Sequence, residues 1–141
     1  IGAYGAGFSG EIERRYPGVR KLYKDWVLNS NHVFGRHYTM GRCQYLEVEP
    51  RQPIVVANMI AQNGIRKKNT DPPVLDYVAL EKCLTVLTRR FVEEFKQTTM
   101  QWEFQMPRLG CGLAGGSWDK VEPIIKQTLC NAGAYVYVYD N

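Results

Sequence analysis

Met106-Pro107-Arg108-Leu109-Gly110-Cys111-Gly112-Leu113-Ala114-Gly115-Gly116-Ser117-Trp118-Asp119 is the stretch whose reading decides the fold. Trp102 to Met106, which leads into it, is short, apolar and β-prone. Four glycines follow, permitting backbone angles and close approaches that a Cβ would forbid. Ser117 stands as an N-cap, and Asp119 and Glu122 bring negative charge to the start of a helix. A strand that turns through glycines into a helix aims unpaired N–H groups at one point, which suits a phosphate. The same pattern also serves as a plain strand-to-helix turn, so the loop alone does not settle a ligand.

Outward from that unit, the chain alternates strands and helices. Ile1 to Gly10 is a second glycine-rich loop running into a helix, with Ser9 as cap, Glu11 and Glu13 in the first turn and Pro17-Gly18 as the stop. Val19, Leu22, Tyr23 and Trp26 predict a helix from Val19 to about Leu28. Asn29 to Gly41 reads as polar and irregular, and holds His32 and His37 without a visible carboxylate or nucleophile beside either. Cys43 to Val48 and Ile54 to Ala61 read as a hairpin, the second strand central because it is the most apolar. Tyr77, Leu80, Leu84, Leu87, Phe91 and Phe95 form one stripe of the longest predicted helix, Tyr77 to Phe95. A helix from Trp118 to Leu129, kinked at Pro123, and a strand from Ala134 to Tyr139 close the chain.

At 141 residues the chain reads as one domain. Its longest apolar run, Ile54 to Ala57, is far too short for a bilayer, so no membrane association is expected. Cys43, Cys83, Cys111 and Cys130 are widely spaced, which fits a reduced, cytoplasmic protein with Cys83 and Cys130 in the core. With only two histidines, neither a metal site nor a cofactor is expected. Net charge is +4, clustered at Arg14-Arg15, Arg66-Lys67-Lys68 and Arg89-Arg90. Acids alternate with these clusters, so attraction for a small anion explains them better than nucleic-acid binding does.

Strands separated by helices predict an α/β protein: a three-layer α/β/α sandwich with a central mixed sheet. Ligands of such sheets sit at the carboxyl ends of the strands, where both glycine loops and Gln62 fall.

Three motifs then carry a resemblance: Gly2-Ala3-Tyr4-Gly5-Ala6-Gly7-Phe8, Val56-Ala57-Asn58-Met59-Ile60-Ala61-Gln62, and Met106 to Gly116. Over nearly its whole length the chain resembles the macro domain, the ADP-ribose-binding module, in the branch that holds terminal ADP-ribose protein hydrolases and ADP-ribose-1''-phosphate phosphatases. The resemblance implies that Gly5, Ala6, Gly7 and Phe8 wrap the diphosphate and distal ribose from one side. Gly110, Cys111, Gly112, Leu113, Ala114, Gly115, Gly116 and Ser117 would hold the diphosphate from the other. Asn58 would border the ribose, and Tyr139 and Asp140 the adenine. Two positions depart from the family pattern. Family members carry a strand ahead of the first glycine loop, so the 1–141 domain is expected to lack it or to have it upstream of Ile1. The lysine and aspartate of the hydrolase branch are replaced by Gln62 or Asn63 and by Ala114, which removes the lysine–aspartate covalent route. The resemblance therefore implies ADP-ribose, or an ADP-ribosylated macromolecule, as partner. Gln62 and Asn63 are the candidates to orient a water in hydrolysis of a substituent on the distal ribose. The alternatives are a reader without chemistry and, more remotely, a nucleic-acid binder using Arg66-Lys67-Lys68.

Overall fold

The structure is a computed structural model that describes residues 7–34, 40–49, 52–64 and 66–140, side chains 31, 33 and 34 apart. In chain order come α1 (Gly7–Arg15), α2 (Val19–Phe34), β1 (Cys43–Glu49), β2 (Ile54–Met59), α3 (Tyr77–Arg90), β3 (Glu103–Pro107), α4 (Trp118–Ile125) and β4 (Tyr135–Tyr139). α3 and α4 each run on into one wider π-helical turn, Phe91–Phe95 and Lys126–Cys130. β1 and β2 form the expected antiparallel hairpin, with Gln44 opposite Asn58. β3 and β4 pair in parallel, Glu103 beside Tyr135 and Pro107 beside Tyr139, with α4 as their crossover.

Strand alternation sorts the side chains into layers. Tyr45, Ala57 and Met59 of the hairpin, and Phe104, Met106, Val136 and Val138 of the parallel pair, pack against one core with α3 and α4. Leu80, Leu84, Val121, Ile125 and Leu129 fill that core, the i, i+4 and i, i+7 spacing bringing the α3 residues to one face. The opposite parity of the hairpin faces α2: Asn58 Nδ2 donates to Gln44 Oε1 at 3.1 Å, and Gln44 Nε2 donates to the Leu22 carbonyl at 3.2 Å. Helices thus lie on both faces of the hairpin.

Several boundaries differ from the sequence reading. α1 begins at Gly7, so Ser9 lies inside the helix and is not its cap. α2 continues to Phe34, and buried Ser30 carries the face of Val19, Tyr23 and Val27 beyond Leu28. His32 is therefore an exposed residue of a helix rather than of a loop, while His37 lies outside the described residues. Cys83 is fully buried, as expected, but Cys130 is exposed at the end of its turn. β2 stops at Met59, short of Ala61, although Ile60 still exchanges main-chain bonds with Gly41 and Arg42.

Among the described residues, β2 and β3 each have a strand on one side only. Between them lies a cavity of about 1340 Å³, walled by both strands and by Phe8 and Ile12 of α1. α1 has no buried residue, and of the β2 residues only Asn58 is buried. Among the described residues, the most apolar strand of the sequence is thus flanked on one edge by that cavity.

Candidate ligand-binding site

The site is assembled around residues 74–76, a segment that carries no motif. On one side the Asn63 N–H donates to the Val74 carbonyl at 3.0 Å, and Gln62 forms a bridge to Leu75. On the other, the N–H groups of Val74 and Leu75 both donate to the Ala114 carbonyl, at 2.9 and 3.3 Å. This segment holds the end of β2 and the glycine loop side by side. It also starts α3, since Asp76 caps that helix by accepting from the Ala79 N–H at 3.0 Å.

Glycine is required in the loop for two separate reasons. Gly110 and Gly115 have φ of +71° and +76°, the left-handed region. Gly116 instead makes a close approach: a Cβ there would lie 2.6 Å from the Gly110 carbonyl oxygen and 2.5 Å from Leu75 Cδ2. The Gly116 N–H donates to that same Gly110 carbonyl at 2.7 Å, closing the loop on itself. Gly112 alone has open space where a Cβ would go.

Four carbonyls of the loop are engaged. Gly110 O accepts from Gly116, Gly112 O from Gly115 at 3.0 Å, and Ala114 O from residues 74 and 75. Leu113 O accepts from Arg66 Nε at 2.9 Å, and Arg66 Nη2 reaches Gly112 O at 3.3 Å. Among the described residues no acceptor takes the N–H groups of Gly112, Leu113 and Ala114. Ser117 occupies the N-cap position of α4, yet its hydroxyl makes no capping bond; its N–H donates to Tyr77 Oη at 2.9 Å. Successive N–H groups without an internal acceptor are the kind of donor row that can take an anion.

The other sequence candidates fall in four groups: the glycine loop, the end of β2, the ends of β3 and β4, and the start of α1. Leu113, at the loop tip, is exposed, and Ala114 is buried. Cys111 stands half-buried with Sγ donating to the Leu109 carbonyl, and its thiol is held above the usual range by burial, against the pull of Arg108. Gln62 Nε2 donates to the Gly64 carbonyl at 2.9 Å, which turns its amide oxygen away from that turn; Asn63 is exposed beside it. Asn58 sits buried in the amide chain to Gln44 and α2, a structural duty that the sequence reading missed. Arg108 is committed to Asp140 at 2.6 Å and lies over the Trp118 ring, tying the end of β3 to that of β4. Tyr139 is exposed next to that pair. Gly7 and Phe8 form the first turn of α1, with Phe8 facing the cavity between β2 and β3; Gly5 and Ala6 lie outside the described residues.

The arrangement has close counterparts among solved structures. A protein of unknown function from Bacteroides thetaiotaomicron is 33% identical, with a TM-score of 0.81 over all of this chain and 82% of its own. A macrodomain protein from Streptomyces coelicolor is 31% identical, with a TM-score of 0.75 over all of this chain and 82% of that one. This chain belongs to the macrodomain family. A more distant macrodomain-containing structure, DarTG from Thermosipho africanus in complex with ADP-ribose, shares the fold at 18% identity, with a TM-score of 0.68 over all of this chain and 35% of that one. No protein-family model and no curated protein matches the chain. In this macrodomain, no helix among the described residues is long and apolar enough to cross a membrane.

Proposed function

We propose that this macrodomain binds ADP-ribose, with the diphosphate on the N–H groups of Gly112, Leu113 and Ala114. The observation that carries the reading is that the carbonyls of Gly110, Gly112, Leu113 and Ala114 are each taken by a donor while those three N–H groups have no acceptor among the described residues. Hydrogen bonds from N–H groups to an anion are charge-assisted and about twice as strong as neutral ones. The fold shared with a structure that holds ADP-ribose supports the same ligand. In the same pocket the protein hydrolyses a substituent at the distal ribose: an ADP-ribosylated side chain, a 1''-phosphate or an acetyl ester. For a substituent on the anomeric carbon, a water placed by the outward amide oxygen of Gln62 attacks that carbon as the bond to the leaving group breaks. The water's proton leaves with the departing group or to solvent. An amide orients water without acting as a base, so turnover relies on positioning.

One feature favours a second reading, a reader without chemistry: Ala114, buried against residues 74 and 75, offers a methyl group where catalysis would use a carboxylate. Calorimetric titration of ADP-ribose, followed by turnover of ADP-ribosylated protein and ADP-ribose-1''-phosphate, separates the two. Binding with turnover supports the hydrolase; binding without turnover leaves the reader; no binding by the folded protein rejects both.

A further inference from the structure

Arg66 belongs to none of the binding motifs, yet it reaches across 46 and 47 residues of sequence to the glycine loop. Its guanidinium donates to the carbonyls of Leu113 and Gly112, at 2.9 and 3.3 Å, and to that of Asn69 at 3.4 Å. Asn69 is itself held in a turn by Asp71, whose carboxylate accepts from the N–H groups of Lys67 and Lys68 at 3.2 and 2.9 Å. Gly115 makes room for the fork: a Cβ there would lie 2.5 Å from Arg66 Nη1 and 2.8 Å from Cζ.

All described peptide bonds are trans, so each carbonyl points opposite to the N–H of the next residue. The carbonyls of Gly112 and Leu113 share their peptide planes with the N–H groups of Leu113 and Ala114. A cation that draws those two oxygens to one side therefore turns the two N–H groups to the other. It also polarises them, since donors strengthen when their own carbonyl accepts from a charge. We infer that Arg66 is a positioning residue of the anion site. It never touches the ligand, and acts from behind the loop by fixing and polarising the Leu113 and Ala114 donors. Gly115 is the complementary half of the device, because only a glycine leaves the guanidinium its place.

This inference rests on the proposed ADP-ribose site. Its test compares the wild type with Arg66→Met, Arg66→Lys and Gly115→Ala, measuring calorimetric Kd for ADP-ribose and for adenosine, which has no phosphate, alongside thermal unfolding. Arg66→Met is expected to weaken ADP-ribose binding by about tenfold and to leave adenosine binding unchanged. Arg66→Lys, which keeps the charge but loses the planar fork, should recover only part of the loss. Gly115→Ala should cost less in the Arg66→Met background than alone, because the two substitutions remove the same contact. If Arg66→Met binds ADP-ribose as the wild type does, or loses ADP-ribose and adenosine equally, the inference is overturned and the proposed function stands. If the folded wild type binds no ADP-ribose, both fall.

Discussion

The glycine loop and the space between β2 and β3 both expose backbone polar groups, and for opposite reasons. In the loop the exposure is one-sided: the carbonyls of Gly110, Gly112, Leu113 and Ala114 are each taken by a donor, while the N–H groups of Gly112, Leu113 and Ala114 have no acceptor among the described residues. That asymmetry suits an anion and would repel a second strand. Along the open edges of β2 and β3, by contrast, donors and acceptors alternate, as on any strand edge, and a cavity of about 1340 Å³ separates them. Such edges are complementary to another strand. Unpaired backbone is therefore informative only when the sign and order of the unpaired groups are read.

The comparison breaks most sharply at Gly116. Gly116→Ala sets a Cβ against the Gly110 carbonyl and Leu75, so the loop cannot close as it is. A loss of about 3 kcal/mol in stability and of all measurable ADP-ribose binding is expected, read by thermal unfolding and calorimetry. Unchanged stability would show that the loop tolerates another path. Gly112→Glu, where the Cβ meets open space, separates binding from folding. It should weaken ADP-ribose by about a hundredfold, by placing a negative charge at the donors, while the melting temperature holds. A parallel fall in melting temperature would make Gly112 a folding residue instead.

On the other side of the comparison, two thiols are withdrawn from water, half-buried Cys43 on β1 and fully buried Cys83 on α3. Desolvation pushes Cys43 up to about 11 and Cys83 up to about 12. The folded state thus holds its thiol protons more tightly than the unfolded state does. The stabilisation is complete below pH 9, the ordinary thiol value, and is lost as pH rises through about 11. For Cys43 the loss should approach about 2 kcal/mol, measured by chemical denaturation between pH 8 and 11, and Cys43→Ala should flatten that part of the profile. A flat wild-type profile would mean that water from the cavity reaches these thiols.

Much of this was legible in the sequence, in elements that local chemistry decides. The strand–loop–helix from Met106 onward, the antiparallel hairpin and the stripe on α3 follow from glycine placement and apolar period, and all are present. Family membership followed from motif order. What stayed hidden depends on contacts distant in sequence. Arg66 looked like one of three clustered cations until its carbonyl partners were in place. Residues 74 and 75 join β2 to the loop through main-chain bonds, which leave no side-chain signature. Asn58 reads as a polar residue at a strand end and is a buried link to α2. The end of α2 was misplaced because a polar run does not by itself stop a helix that has a face to bury, and Ser9 because a residue fit to cap a helix is also tolerated inside one.

The most direct test of the central claim is an amide ¹H–¹⁵N NMR titration of the ligand-free protein with ADP-ribose. The largest shifts are expected at the amides of Gly112, Leu113 and Ala114, with Gly115 and Gly116, whose N–H groups are already bonded within the loop, moving less. Saturable binding whose shifts instead centre on residues 66–68, or along β2 and β3, with the loop amides unmoved, would contradict it.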